Sequence, residues 1–68
     1  MENRIDYWRV QQGLTYRNIA ERAGISAQYV WMLAKGQRGN PGVSTMRKIS
    51  TALGKKVGQV FLMGEERA

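Results

Sequence analysis

The chain contains no cysteine, no histidine, one proline and one phenylalanine, and a single acidic residue between Tyr7 and Gly64. Each absence excludes something. Without cysteine no disulfide can staple the fold, and without cysteine and histidine the usual zinc ligands are missing. With neither residue and one acid, Glu21, away from the ends, no nucleophile–base or carboxylate pair can be assembled, and the serines and threonines sit at expected helix caps. The sequence therefore reads as a non-enzyme, with no catalytic residue, no metal and no cofactor. Long hydrophobic runs are also lacking: the longest, Tyr29 to Ala34, falls far short of the ~20 apolar residues that span a bilayer. Met1 to Arg4 has no apolar signal segment, so the expected location is cytoplasmic, in a bacterial or phage-encoded protein.

At 68 residues the chain is one domain at most, near the lower limit for independent folding. Stability must come from a compact apolar core. Lysine and arginine number 11 against five acids, for a net charge of +6. Nine of those cations lie between Tyr7 and Gly64, whereas Glu2, Asp6, Glu65 and Glu66 lie near the ends. A domain built from that middle carries a positive field that attracts polyanions and releases counterions from phosphate. A membrane surface competes for the same charge, but usually through one long basic amphipathic helix. Here glycines cut the chain into short pieces.

Those pieces read as five helices and no strand: about Asn3 to Gln11, Tyr16 to Ala23, Ala27 to Ala34 or Lys35, Thr45 to Leu53 behind the cap Ser44, and Val57 to Leu62. Ile5, Trp8, Leu14, Ile19, Ala20, Val30, Leu33, Met46, Ile49, Leu53 and Phe61 are the expected core. The domain is assigned to residues 1–64, with 65–68 as a frayed tail. In the middle, Thr15 and Ser26 can each cap a helix, and Gly24 and Gly36 can each end one in the left-handed conformation. Only Gly24, Ile25 and Ser26 make the corner between the second and third helices. That is a helix-turn-helix, the unit that lays its second helix in the DNA major groove.

At ~100° per residue, Tyr29, Val30 and Leu33 share one side of the third helix, and Ala27, Gln28, Trp31, Met32 and Lys35 share the other. The outer stripe is the candidate reading face. Gln28 can contact adenine N6 and N7 in bidentate fashion, Met32 can meet a thymine methyl, and Ala27 allows close approach. Trp31 can fold onto the loop Gln37 to Gly42, stack on sugars and thymine methyls, or dock a protein partner. Phosphate contacts are expected at the ends of the motif: at Thr15, Tyr16 and Arg17, where the second helix starts with free N–H groups, and at Lys35, Gln37, Arg38 and Asn40 after the third.

From Ile5 to Phe61 the sequence resembles the phage-repressor-like (XRE/Cro-type) helix-turn-helix family. The resemblance is carried by Arg9, Gly13 to Thr15, Ile19 and Ala20, Ala23 to Ser26, Tyr29 and Val30, Leu33, Gly36, Asn40 and Pro41. It continues through Met46, Ile49, Ala52 to Gly54, Val60 and Phe61. It implies an all-α, compact five-helix DNA-binding domain that represses or regulates transcription, usually as a dimer on a pseudo-palindromic double-stranded operator. With no second domain to hold it, the homodimer is expected to be weak or aligned by DNA, with Leu62 and Met63 as its contact. Tyr16 stands where the family usually has a backbone-touching glutamine, and its hydroxyl can donate instead. Ala34 replaces a glutamate that often pairs with the arginine at Arg9, which must point to water or find another partner. Ala27 replaces a base-reading glutamine, and Trp31 and Met32 replace polar residues. An alternative follows from that pair: a protein-interaction module on the same fold, an antitoxin or antirepressor that uses Trp31 and Met32.

Overall fold

The computed structural model describes residues 2–37 and 41–62, with the backbone alone for Glu2 and Leu62. The expected tail and Met63 lie outside them. Five helices run in order: α1 Ile5–Gln11, α2 Tyr16–Ala23, α3 Ala27–Ala34, α4 Val43–Ala52 and α5 Val57–Val60. Two two-residue strands, β1 Glu2–Asn3 and β2 Phe61–Leu62, pair antiparallel with Glu2 opposite Leu62 and Asn3 opposite Phe61. The architecture is the expected five-helix bundle; the small β-bridge is a correction to the strand-free reading. It also explains the shifted ends of the two helices that flank it. Phe61 turns extended (φ −113°, ψ 116°), so α5 stops at Val60, and Asn3 belongs to the bridge, so α1 starts at Ile5. The helix α4 starts at Val43 with Gly42 as its N-cap, which puts Ser44 inside the first turn rather than at the cap.

The motif itself forms as its residues dictate. Thr15 accepts the Asn18 N–H at 3.0 Å and gives its own N–H to Asn18 Oδ1 at 2.9 Å, a reciprocal cap on α2. Ser26 accepts the Tyr29 N–H at 3.0 Å on α3. At the far ends, Gly24 (φ 73°) and Gly36 (φ 74°) take the left-handed conformation. The next N–H reaches back across the turn, from Ile25 to Ala20 at 3.1 Å and from Gln37 to Met32 at 2.9 Å. A side chain at either glycine would be strained by its φ, although nothing crowds it.

The helix α2 packs on both α3 and α4, and α1 touches α3. The buried core comprises Ile5, Ile19, Ala20, Ala23, Val30, Leu33, Met46, Ile49, Ala52, Leu53, Val60 and Phe61. Trp8 and Leu14 were expected inside but are half-buried against this cluster. The polar edge of Trp8 accounts for its place: its indole N–H donates to the Gln59 carbonyl at 2.9 Å, and Lys55 Nζ lies 4.1 Å from the ring centroid. The carbonyls at the end of α4 are taken by two long side chains, Gln12 Nε2 on Leu53 at 2.8 Å and Arg22 Nη1 on Ala52 at 3.1 Å. Ser50 is buried on α4 with a hydroxyl that has no partner among the described residues.

Two stability predictions follow. Leu33, 2% exposed, joins α3 to the core, so Leu33→Ala should cost about 2–5 kcal/mol. In a domain of this size that lowers the melting temperature by roughly 8–40 °C, at about 4–8 °C per kcal/mol, measurable by circular dichroism. Ser50→Ala should leave the melting temperature unchanged or raise it, because it removes a buried hydroxyl that makes no hydrogen bond.

Candidate nucleic-acid interface

Burial of Val30 and Leu33 turns the opposite side of α3 outward. Gln28 is exposed, Trp31 is 39% exposed, and Met32 is half-buried but not packed on the core cluster. These three form the outward stripe of α3. Ala27 stands differently from its helical-wheel position: it is half-buried against the core, because the first turn of α3 enters the motif's corner beside Ile25. Tyr29 and Ala34 are likewise half-buried against the core.

The N-terminal ends of α2 and α3 carry their caps, and helix geometry leaves the N–H groups of Tyr16 and Arg17 without intrahelical acceptors. Arg17 is exposed, and so is Thr15 with its cap. Gln37 is exposed just beyond α3; Arg38 and Asn40 lie outside the described residues. Arg47 and Lys48 open instead on a shallow groove between α2 and α4 with Arg22, Ala23 and Thr51, which includes no residue of the stripe.

One residue that sequence reading left unassigned binds the motif together. Asp6 on α1 accepts Arg9 Nε at 3.0 Å and the Tyr16 hydroxyl at 2.7 Å on Oδ1, and Lys35 Nζ at 3.2 Å on Oδ2. Arg9 also donates to the Leu14 carbonyl at 3.2 Å, and its guanidinium lies 4.4 Å from the Tyr16 ring centroid. Arg9, deprived of a glutamate by Ala34, thus finds its acid three residues earlier on its own helix. The Tyr16 hydroxyl, expected to donate to phosphate, has its single proton on Asp6. Lys35, expected on phosphate too, is ion-paired, though 46% of its side chain is exposed. The spacing of Asp6 to Arg9 was visible in the sequence as an i, i+3 pair; the contacts with Tyr16 and Lys35 were not, because three helices must pack to make them.

Partial burial pushes the Asp6 carboxyl up, but hydrogen bonds from Tyr16, Arg9 and Lys35 outweigh it and hold its pKa below the ordinary value. The same carboxylate raises Lys35 and Arg9 above theirs. A second fastening lies beside it. Asn3 donates from Nδ2 to the Leu33 carbonyl at 2.8 Å and accepts the Ile5 N–H at 3.1 Å, so the N-terminal bridge holds the last turn of α3.

A domain of this architecture, with a capped corner and an outward second helix, is a helix-turn-helix. The chain matches the helix-turn-helix family over residues 5–60. It belongs to that family, in its XRE-type branch of DNA-binding domains. It is similar to two proteins named as uncharacterized HTH-type transcriptional regulators. One, from Methanocaldococcus jannaschii, is 27% identical over 97% of this chain and 98% of its own length. The other, from Methanothermobacter thermautotrophicus, is 34% identical over 88% of this chain and 87% of its own. Both organisms are archaea, so these relatives give no support to the expected bacterial or phage origin. Among the described residues no helix is long and apolar enough to cross a membrane.

The Asp6 network makes a prediction about acid. Its folded-state pKa is below that of the unfolded chain, so its contribution is complete above about pH 4 and is lost as pH falls through the folded value. The melting temperature should therefore drop in acid, and Asp6→Asn should flatten part of that drop. Thermal melts from pH 7 down to pH 2 measure the difference.

Proposed function

We propose that this chain is a sequence-specific double-stranded DNA-binding transcriptional regulator, acting as a repressor, that reads the major groove with α3. The observation that carries the reading is the outward stripe of exposed Gln28 and Trp31 and half-buried Met32 on the helix after the corner, in a chain of net charge +6. Gln28 is the hydrogen-bonding base reader, and Trp31 and Met32 supply apolar contact beside it. Ala27, half-buried, contributes close approach at the first turn. The start of α2, at Thr15, Tyr16 and Arg17, and the segment after α3, with Lys35, Gln37, Arg38 and Asn40, grip the phosphates on either side. Tyr16 serves through its backbone N–H while its hydroxyl stays on Asp6. One recognition helix reads too few base pairs for useful specificity. Two copies therefore bind a pseudo-palindrome, with half-site centres about one helical turn, ~34 Å, apart. The free protein associates weakly, and DNA aligns the pair in the cytoplasm.

Selection of bound fragments from random duplexes, followed by sequencing, should yield such a palindrome. On that operator, Gln28→Ala should relax the preference at one position by about 1–3 kcal/mol and spare nonspecific binding. Trp31→Ala should weaken operator binding with little change in melting temperature. Wild-type operator affinity for Trp31→Ala would instead favour a protein-interaction module, an antitoxin or antirepressor, with exposed Trp31 and half-buried Met32 as its docking pair.

A further inference from the structure

Two of the groups at the edge of the reading face, Lys35 and the Tyr16 hydroxyl, meet on one carboxylate. We propose that Asp6 is an intramolecular stand-in for a DNA phosphate: it holds Lys35 in the free protein, yields it to the backbone of a bound duplex, and so sets the affinity and salt dependence of DNA binding. This rests on the DNA-binding reading above and concerns the regulation of that same surface.

The geometry separates the partners of Asp6 by how firmly they are held. Arg9 is fixed three times over, by Asp6, by the Leu14 carbonyl and by the Tyr16 ring. Tyr16 is fixed beneath that guanidinium and packs on the core. The Lys35 ammonium is held by Oδ2 at 3.2 Å, its one side-chain hydrogen bond recorded among the described residues, and Lys35 is the most exposed member, at 46% against 24% for Arg9. Its ammonium sits on a flexible stem just past the last turn of α3, so it can swing from carboxylate to phosphate with little cost to the fold. Arg9 and Tyr16 then retain Oδ1. Among the described residues, the only ion pairs are those Asp6 makes with Arg9 and Lys35. The carboxylate is therefore a specific brake on one lysine within a chain of net charge +6.

The test measures binding of a fluorescent random-sequence duplex from 50 to 200 mM salt for the wild type, Asp6→Asn, Lys35→Ala, the double variant, and Glu21→Gln. Glu21, an exposed acid of α2, is the control for net charge. Asparagine keeps an acceptor oxygen for Arg9 and Tyr16, so Asp6→Asn should fold; Asp6→Ser makes the same charge change if the amide variant is unstable. The expected result is a gain of about two- to fivefold at low salt for Asp6→Asn, the size an exposed ion pair allows. The slope of log affinity against log salt should steepen by up to about one. Lys35→Ala should cost more in the Asp6→Asn background than in the wild type, and the gain should vanish in the double variant. An equal gain with and without Lys35, or a matching gain for Glu21→Gln, would overturn the proposal by reducing it to net charge. So would weaker binding by Asp6→Asn, which would make the carboxylate a positioning residue for the motif. Absence of duplex binding by all five proteins would reject the DNA reading itself, a failure distinct from these.

Discussion

The arrangement of this domain depends on the burial of two side chains of α3, Val30 and Leu33, in a core supplied largely by α2 and α4. A helix of eight residues is too short to persist alone in water. Its helicity and its rotation about its own axis are both set by where those two residues go. Once they are buried, Gln28 and Trp31 are turned to the outer side of the helix. The outward stripe is thus the remainder of a packing problem, and its chemistry is free to vary without disturbing the fold. That freedom explains how a tryptophan and a methionine can stand there.

Around that packing the chain uses side chains to finish what short helices leave undone. Gln12 and Arg22 take the terminal carbonyls of α4, Asn3 takes that of Leu33, and Trp8 takes that of Gln59. All four contacts join segments distant in sequence and tie the bundle, and the first three also satisfy acceptors in half-buried surroundings. Asp6 does the equivalent for charge. In a strongly basic domain, one carboxylate shared by donors from α1, from the start of α2 and from the residue after α3 relieves repulsion among them.

The two helices of the motif were legible to the residue, and the outer helices less so. Tyr16–Ala23 and Ala27–Ala34 carry side-chain caps at one end and a left-handed glycine beyond the other, and such local signals do not need tertiary help. The start of α1 and the end of α5 were displaced because Asn3 and Phe61 answer to each other across the β-bridge. Ser44 resembled a cap, yet Gly42 serves, since the extended backbone before α4 begins two residues earlier. At the candidate site, Gln28 and Trp31 were legible from helical angle alone. Asp6 was not, because its role needs Tyr16 and Lys35 brought to it from 10 and 29 residues away.

The sequence by itself determined the helix-turn-helix, the identity of its inner face and the positive field, since these rest on caps, on spacing and on counted charge. Tertiary structure alone decided which partners the cations take. In the sequence Lys35 reads as a phosphate contact, Arg9 as a cation bound for water or another partner, and Arg22 has no assigned role; packing gave the first two to Asp6 and the third to the Ala52 carbonyl. The reason is range. Helix signals act within a few residues along the chain, whereas a hydrogen bond or ion pair acts over about 3 Å of space, and only the folded chain fixes which residues come that close.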